Sequence, residues 1–254
     1  MNTLGTATLI FLGTASVALA ADPSPPLADS GWEFTVAPYL WLAGLSGDVG
    51  VGGLKPVDVD LSISDVLENL EMGLMGAFEA RNGRFSLAAD ALWVKLSAEA
   101  DTPFGFVADK AELTTQTLML TGVAGYSLYQ SDEANLDVVA GGRLWGVENE
   151  LELKGGIADG VSFDGTVTWV DPLVGIKGHA DLTSDFYVTG WGLIGGFGVS
   201  SKIMWDVMGG VGYRFNDWSS VVAGYRAFGV DYKEDGFTYD VVQSGPILGA
   251  VFKF

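Results

Sequence analysis

The single histidine of the chain, His179, stands two residues before Asp181, a spacing that places both side chains on one face of an extended strand. A histidine beside a carboxylate is the pair that general-base and nucleophilic catalysis use, the acid orienting the ring. Nothing enlarges the pair: the chain has no second imidazole and no cysteine, so thiol catalysis, disulfides and thiolate-bound metals are excluded. A calcium loop is the other chemistry to test. Read from Asp58, DVDLSISDVLEN offers carboxylates at its first and third positions, but Ile63 stands where an EF-hand needs Gly and Asn69 where it needs Glu. That match fails. The reading is of a chain with no catalytic residue, no metal site and no cofactor.

A larger set of charges is spaced differently. Glu79, Asp90, Asp137, Arg143, Asp171, Lys177, Asp206, Arg214 and Arg226 each fall opposite an apolar face in a segment that alternates with period two. In EMGLMGAFEAR, residues 71–81, Met72, Leu74, Gly76, Phe78 and Ala80 share one face and Glu71, Gly73, Met75, Ala77 and Glu79 the other. In 204–215, Trp205, Val207, Val211, Tyr213 and Phe215 oppose Met204, Asp206, Met208 and Arg214; in 85–96, Phe85, Leu87, Ala89, Ala91 and Trp93 oppose Ser86, Ala88 and Asp90.

Such segments number ten: 32–47, 71–81, 84–100, 110–129, 135–152, 164–182, 186–198, 203–215, 218–232 and 237–254. Their connections alternate in kind. Asn82-Gly83-Arg84, Gln130–Asn135, Ser184-Asp185 and Asn216-Asp217 are tight polar turns, three of them followed at once by an aromatic. The others, near 48–70, 101–109, 153–163, 199–202 and 233–236, are mostly longer and richer in Gly and acid. Short turns at one end and longer loops at the other are the asymmetry of a transmembrane β-barrel. Each segment exceeds the about 9–11 residues that a tilted membrane strand needs. In the first long connection, Val57, Val59, Leu61 and Ile63 alternate with acids and serines, and Asp65 opens a capping-box-like pattern. The reading is an extra strand and one helical turn in an outer loop; their inclusion in the wall would give twelve strands. A soluble sandwich also alternates, but its strands average nearer about 5–6 residues.

Composition agrees. Gly is 36 of 254 residues, a load that argues against an all-helical chain, and the formal charge is −19, which argues against nucleic acid as partner. Mean hydropathy is nonetheless positive and aromatics reach 12%, unlike a disordered acidic chain. Residues 1–21 read as an export signal: uncharged, apolar from Leu4, and closing on Ala18-Leu19-Ala20 before the Pro-rich 22–31 linker. The absence of Lys or Arg near Met1 points to a true start elsewhere, and a short membrane anchor is the alternative reading.

The last residues bring a resemblance. Phe254, Phe252, Ala250 and Leu248 share one face, and this ending resembles the C-terminal β-signal that outer-membrane proteins present to the barrel-assembly machinery. Asp171-Pro172-Leu173-Val174-Gly175, Gly195-Gly196-Phe197-Gly198 with Ser201, Gly212-Tyr213-Arg214-Phe215, Gly224-Tyr225-Arg226, Gly245-Pro246 with Gly249, and Ser64-Asp65-Val66-Leu67 with Leu70 resemble, in that order, a group of small outer-membrane β-barrel proteins of Gram-negative bacteria. The resemblance implies a place in the bacterial outer membrane, against lipid and lipopolysaccharide, and carries over no activity. Outer-membrane hydrolases set such a histidine at the outer rim, whereas His179 stands four residues before a short turn, at the periplasmic end.

Two readings of the nine charges follow. They form a selectivity lining for ions or small solutes, as in a porin-like channel, or a paired network that plugs a narrow lumen and leaves the outer loops as the working surface. A barrel of about 8 strands is just filled by its own side chains, which brings ten close to the filled end. Trp32, Trp41, Phe85, Trp93, Tyr129, Tyr187, Tyr213, Trp218 and Tyr225, near strand ends, are expected in an interfacial girdle.

Overall fold

The computed structural model describes residues 31–50, 55–101, 109–157 and 159–254; the expected export signal and all but the last residue of the linker lie outside them. The first wall strand comes in two halves, β1 (Trp32–Trp41) and β2 (Gly44–Gly50). A short strand β3 (Val57–Leu61) and one helix α1 (Ile63–Glu68) follow. The wall resumes with β4 (Leu70–Asn82), β5 (Phe85–Asp101), β6 (Lys110–Gln130), β7 (Ala134–Lys154) and β8 (Val161–Asp181). It is completed by β9 (Phe186–Gly195), β10 (Ile203–Arg214), β11 (Ser219–Glu234) and β12 (Phe237–Lys253). Every neighbour pair is antiparallel and β12 returns to β1, so ten wall strands close on themselves. Strand β3 pairs with β2 alone, a hairpin on the outer half of the first strand rather than a wall member.

Closure is made by the chain's last residues. Phe254 and Phe34 exchange backbone hydrogen bonds of 2.8 and 3.0 Å, and Val36 lies opposite Phe252. Strand β12 pairs with β1 through Ile247–Lys253 and with β2 through Thr238–Ser244. The switch occurs at Gly245-Pro246, where Leu42 N–H donates to Pro246 O at 3.0 Å. A Cβ on Gly245 would stand 1.8 Å from Leu42 O, so only glycine admits this approach. The opposite edge of β1 is paired less far. It meets β4 from Trp32 to Pro38; beyond the proline the Trp41 N–H donates to the Met75 sulfur at 3.3 Å instead of to a backbone carbonyl.

The alternation sorts the two faces as the sequence reading expects. Leu74 is 65% exposed and Leu248 54%, with Leu40, Leu87, Leu128, Val170 and Ile176 in the same outward belt. Inside, Trp145, Met119, Arg143, Asp206 and Arg226 are at most 1% exposed. Apolar outside and charged inside inverts a soluble protein and suits a wall immersed in lipid.

Three expectations need correction. Trp41 and Tyr187 belong to no girdle: each is 4% exposed and points inward, while Trp32, Phe85, Tyr129, Tyr213, Trp218 and Tyr225 lie on the outer surface. The helix cap lies one residue set upstream of the expected one. Ser62 is the N-cap, its Oγ accepting from Asp65 N–H at 3.2 Å while the Asp65 carboxylate accepts from Ser62 N–H at 2.8 Å. The seventh wall strand ends at Gly195 rather than 198, because Gly196, Phe197 and Gly198 all adopt positive φ.

Candidate functional site

Three layers of side chains occupy the lumen. The middle one is built on Arg226 of β11, which is 0% exposed. Its Nε and Nη2 donate to the two oxygens of Asp206 on β10 at 3.2 and 2.8 Å. Nη2 also donates to Asp90 of β5 at 3.0 Å, and Nη1 to the Tyr39 hydroxyl of β1 at 3.0 Å. Tyr39 in turn donates to Asp90 at 2.7 Å. Arg143 of β7 reaches the same Asp206 with Nη2 at 2.6 Å and gives its Nε to Thr121 of β6 at 2.8 Å. Trp191 Nε1 of β9 completes Asp206 at 2.9 Å. The rings of Trp41 and Trp191 cover the Arg226 guanidinium, each centroid 5.2 Å away. A charge taken this far out of water costs several kcal/mol, roughly, unless paired and hydrogen-bonded. Each guanidinium nitrogen of Arg226 donates to an acceptor from another strand, so the layer ties the wall together across the lumen. One atom is different: Arg143 Nη1 is buried and has no hydrogen-bond partner.

Above it, toward the long loops, the lumen is filled with aromatics. Trp145 and Trp169 stack at 5.5 Å, Tyr232 stacks on Trp169 at 4.1 Å, and Phe228 packs between Trp41 and Trp145 at 5.3 and 5.4 Å. Asp171, 0% exposed, organises this layer. Its carboxylate accepts from Trp145 Nε1 and Trp169 Nε1, both at 3.1 Å, and from Ser201 N–H and Oγ–H at 2.8 and 2.6 Å. Ser201 lies in the 196–202 connection, so this loop is pinned into the mouth of the barrel by a lumen carboxylate.

Below, toward the short turns, charges pair around the wall. Asp137 accepts from Arg81 and from Ser127 Oγ–H, the latter at 2.6 Å. Glu79 bridges Arg81 and Lys177, and Asp181 joins Arg214 and His179, whose Nε2 is 2.9 Å away. Arg214 also stacks on Tyr187, 4.7 Å from its ring centroid. A Cβ on Gly212 would overlap the Tyr187 ring at 2.1 Å, which is how that ring finds room inside. Between the lowest pairs and the Arg226 layer lies a cavity of about 910 Å³ whose walls include the short turn 130–135. It opens at the turn end.

The nine charged positions read from the sequence therefore all lie on the inner face, spread over the three layers: Asp171 in the upper, Asp90, Arg143, Asp206 and Arg226 in the middle, and Glu79, Asp137, Lys177 and Arg214 in the lower. Arg81, Tyr39, Thr121 and Ser201 escaped that reading. Arg81 carries the same parity as Glu79 and was legible; the others are neutral and signal nothing until their partners are known. His179 sits in the lower layer with Asp181 and Arg214, and no serine hydroxyl hydrogen-bonds the pair among the described residues.

No family model and no curated protein matches the sequence. Solved structures match in fold. The outer membrane protease OmpT of Escherichia coli aligns with a TM-score of 0.51 at 12% identity, over 91% of this chain and 99% of that one. The Neisserial surface protein NspA aligns at 0.37 and 13% identity, over 89% and 98%, and the translocator domain of the Neisseria meningitidis autotransporter NalP at 0.42 and 12%, over 88% and 89%. The closed wall, the apolar belt and the charged interior make this chain a β-barrel of the bacterial outer membrane, with the short turns facing the periplasm as that class requires.

Proposed function

We propose that this barrel does not conduct, and that it serves as a rigid mount whose working surface is its outer end. The observation that carries the reading is the full burial of Arg226 in a network drawn from β1, β5, β9, β10 and β11, roofed by Trp145, Trp169 and Phe228. A porin path needs exposed charges along its length; here the middle-layer charges of Arg143, Asp206 and Arg226 are spent on each other. The outer end is built to stand away from lipid. Strands β5 to β8 continue past the belt, where Glu148 and Glu150 face outward and the ion pairs Glu99–Lys110 and Glu112–Lys154 link β5, β6 and β7. Liposome swelling tests the reading. Proteoliposomes of the folded chain should swell in sugars and amino acids no faster than empty ones, and swelling that depends on solute size would overturn it.

A further inference from the structure

Two wall strands stop short of their neighbours. β9 ends at Gly195 and β10 begins at Ile203, whereas β8 starts farther out at Val161 and β11 runs out to Glu234. One edge of β8 is paired with β7 from Val161, opposite Leu153, to Ala180, opposite Ala134; β9 accompanies the other edge only from Leu173 inward. The connection 196–202 closes the foot of the notch so formed, Gly196 N–H donating to Pro172 O at 3.0 Å and Ser200 Oγ–H to Val170 O at 2.9 Å. Those two carbonyls show which residues turn their backbone groups away from β7. By the same parity the N–H and C=O groups of Ser162, Asp164, Thr166 and Thr168 point into the notch, and none has a partner among the described residues.

Sheets guard a free edge with lysine, proline or a bulge. From Val161 to Val170 this strand has neither lysine nor proline, and its pairing with β7 runs without a register shift. The edge stands in water: beyond Val170 of the lipid belt the outward side chains are Thr168, Thr166, Asp164 and Ser162, all exposed. On its inner side the notch is walled by Trp169 and Tyr232, stacked at 4.1 Å between β8 and β11. A row of donors and acceptors at strand spacing is matched by another extended backbone. A second copy does not supply it. In the same membrane its β8 also runs inward, tilted the opposite way across the two-fold axis, so the two edges cross instead of aligning. Charge narrows the partner further. Asp164, Glu234 and Asp235 are exposed on the two rims, while Lys202 and Lys233 are paired with Asp231 and Asp240. We propose that the outer edge of β8 docks an extended basic segment of another protein, which adds as an antiparallel strand in the place that β9 leaves. The inference rests on the outer end being the working surface and names what that surface takes.

The probe is a fluorescent peptide of alternating valine and threonine with lysine at each end. It is titrated into the full-length folded barrel in lipid nanodiscs and read by polarisation against empty nanodiscs. The peptide should bind, and methylation of its backbone amides, which removes the donors and leaves the side chains, should weaken it at least about tenfold. Thr166→Pro removes an N–H from the free edge at the parity where the strand already carries Pro172, so the β7 ladder and the heat-dependent gel shift should remain. Binding should fall about tenfold with Thr166→Pro and at least about threefold with Asp164→Lys. Equal binding of the methylated peptide, binding unchanged by either substitution, or no binding above empty nanodiscs would each overturn the proposal. A barrel that swells liposomes yet takes the peptide would fail only as a plug, and a silent barrel that takes none would fail only here.

Discussion

Arg226 and Asp206 meet across the β10–β11 pair with two hydrogen bonds of 2.8 and 3.2 Å, both residues 0% exposed in the centre of the barrel. Neither charge has water to fall back on, and a third strand depends on the same carboxylate through Arg143. The stability of the barrel and the closure of its lumen therefore rest on one acid.

Replacing that acid exposes the dependence. Asp206→Ala leaves Arg226 with Asp90 as its one carboxylate and Arg143 with none, and should destabilise the folded barrel by about 3–5 kcal/mol. Urea unfolding in vesicles, followed by the gel shift of unheated samples, reads it; a loss below about 1 kcal/mol would contradict the account, since exposed pairs are worth that little.

Asp171→Asn should leave the barrel formed but release the loop it holds. The amide keeps one oxygen for the Ser201 N–H, but the NH2 in place of the other cannot accept from Ser201 Oγ–H or from the Nε1–H groups of Trp145 and Trp169, which lose their common anchor. Limited proteolysis from the outer side should then cut the 196–202 segment, which resists in the parent chain.

Much of this was legible in the sequence, and the failures have physical causes. Period two fixed the ten strands because one face of each had to meet lipid, and Leu74 and Leu248 advertise that face. Trp41 and Tyr187 were misplaced because an aromatic suits either side of a narrow barrel wall; only the parity of Trp41 with Glu33 and Thr35 tells them apart. The partners of Arg226 lie 20, 136 and 187 residues away, and their meeting depends on strand tilt and register, which no local pattern encodes. The Ser62 cap is readable as Ser-x-x-Asp, but Asp65-Val66-Leu67-Glu68 repeats the same polar-x-x-acid spacing three residues on, and spacing alone does not choose between the two.

That cap gives a pH prediction. The hydrogen bonds from Ser62 hold the Asp65 carboxyl below its ordinary value. A depressed folded pKa means that its contribution is complete above the usual carboxylate pKa of about 3.9 and is lost as pH falls through the lowered one. The Ser62 amide resonance should accordingly stay constant from neutral pH down to about 4 and move only below that; a midpoint above the usual carboxylate value would contradict the cap.

Phe254→Ser tests the closing strand. The backbone bonds to Phe34 survive the substitution, so the folded barrel should be nearly as stable, but its yield in the outer membrane should fall. Equal yield in membranes would show that the terminal aromatic is not read during assembly.

The most direct test of the central claim is single-channel current from the folded chain in a planar bilayer, the barrel first verified by its heat-dependent gel shift. The account predicts a silent bilayer, before and after deletion of residues 51–56 from the first long loop. Discrete ion-selective steps that change when Arg143 or Arg226 is neutralised would contradict it, because they would make the paired layer a path rather than a plug.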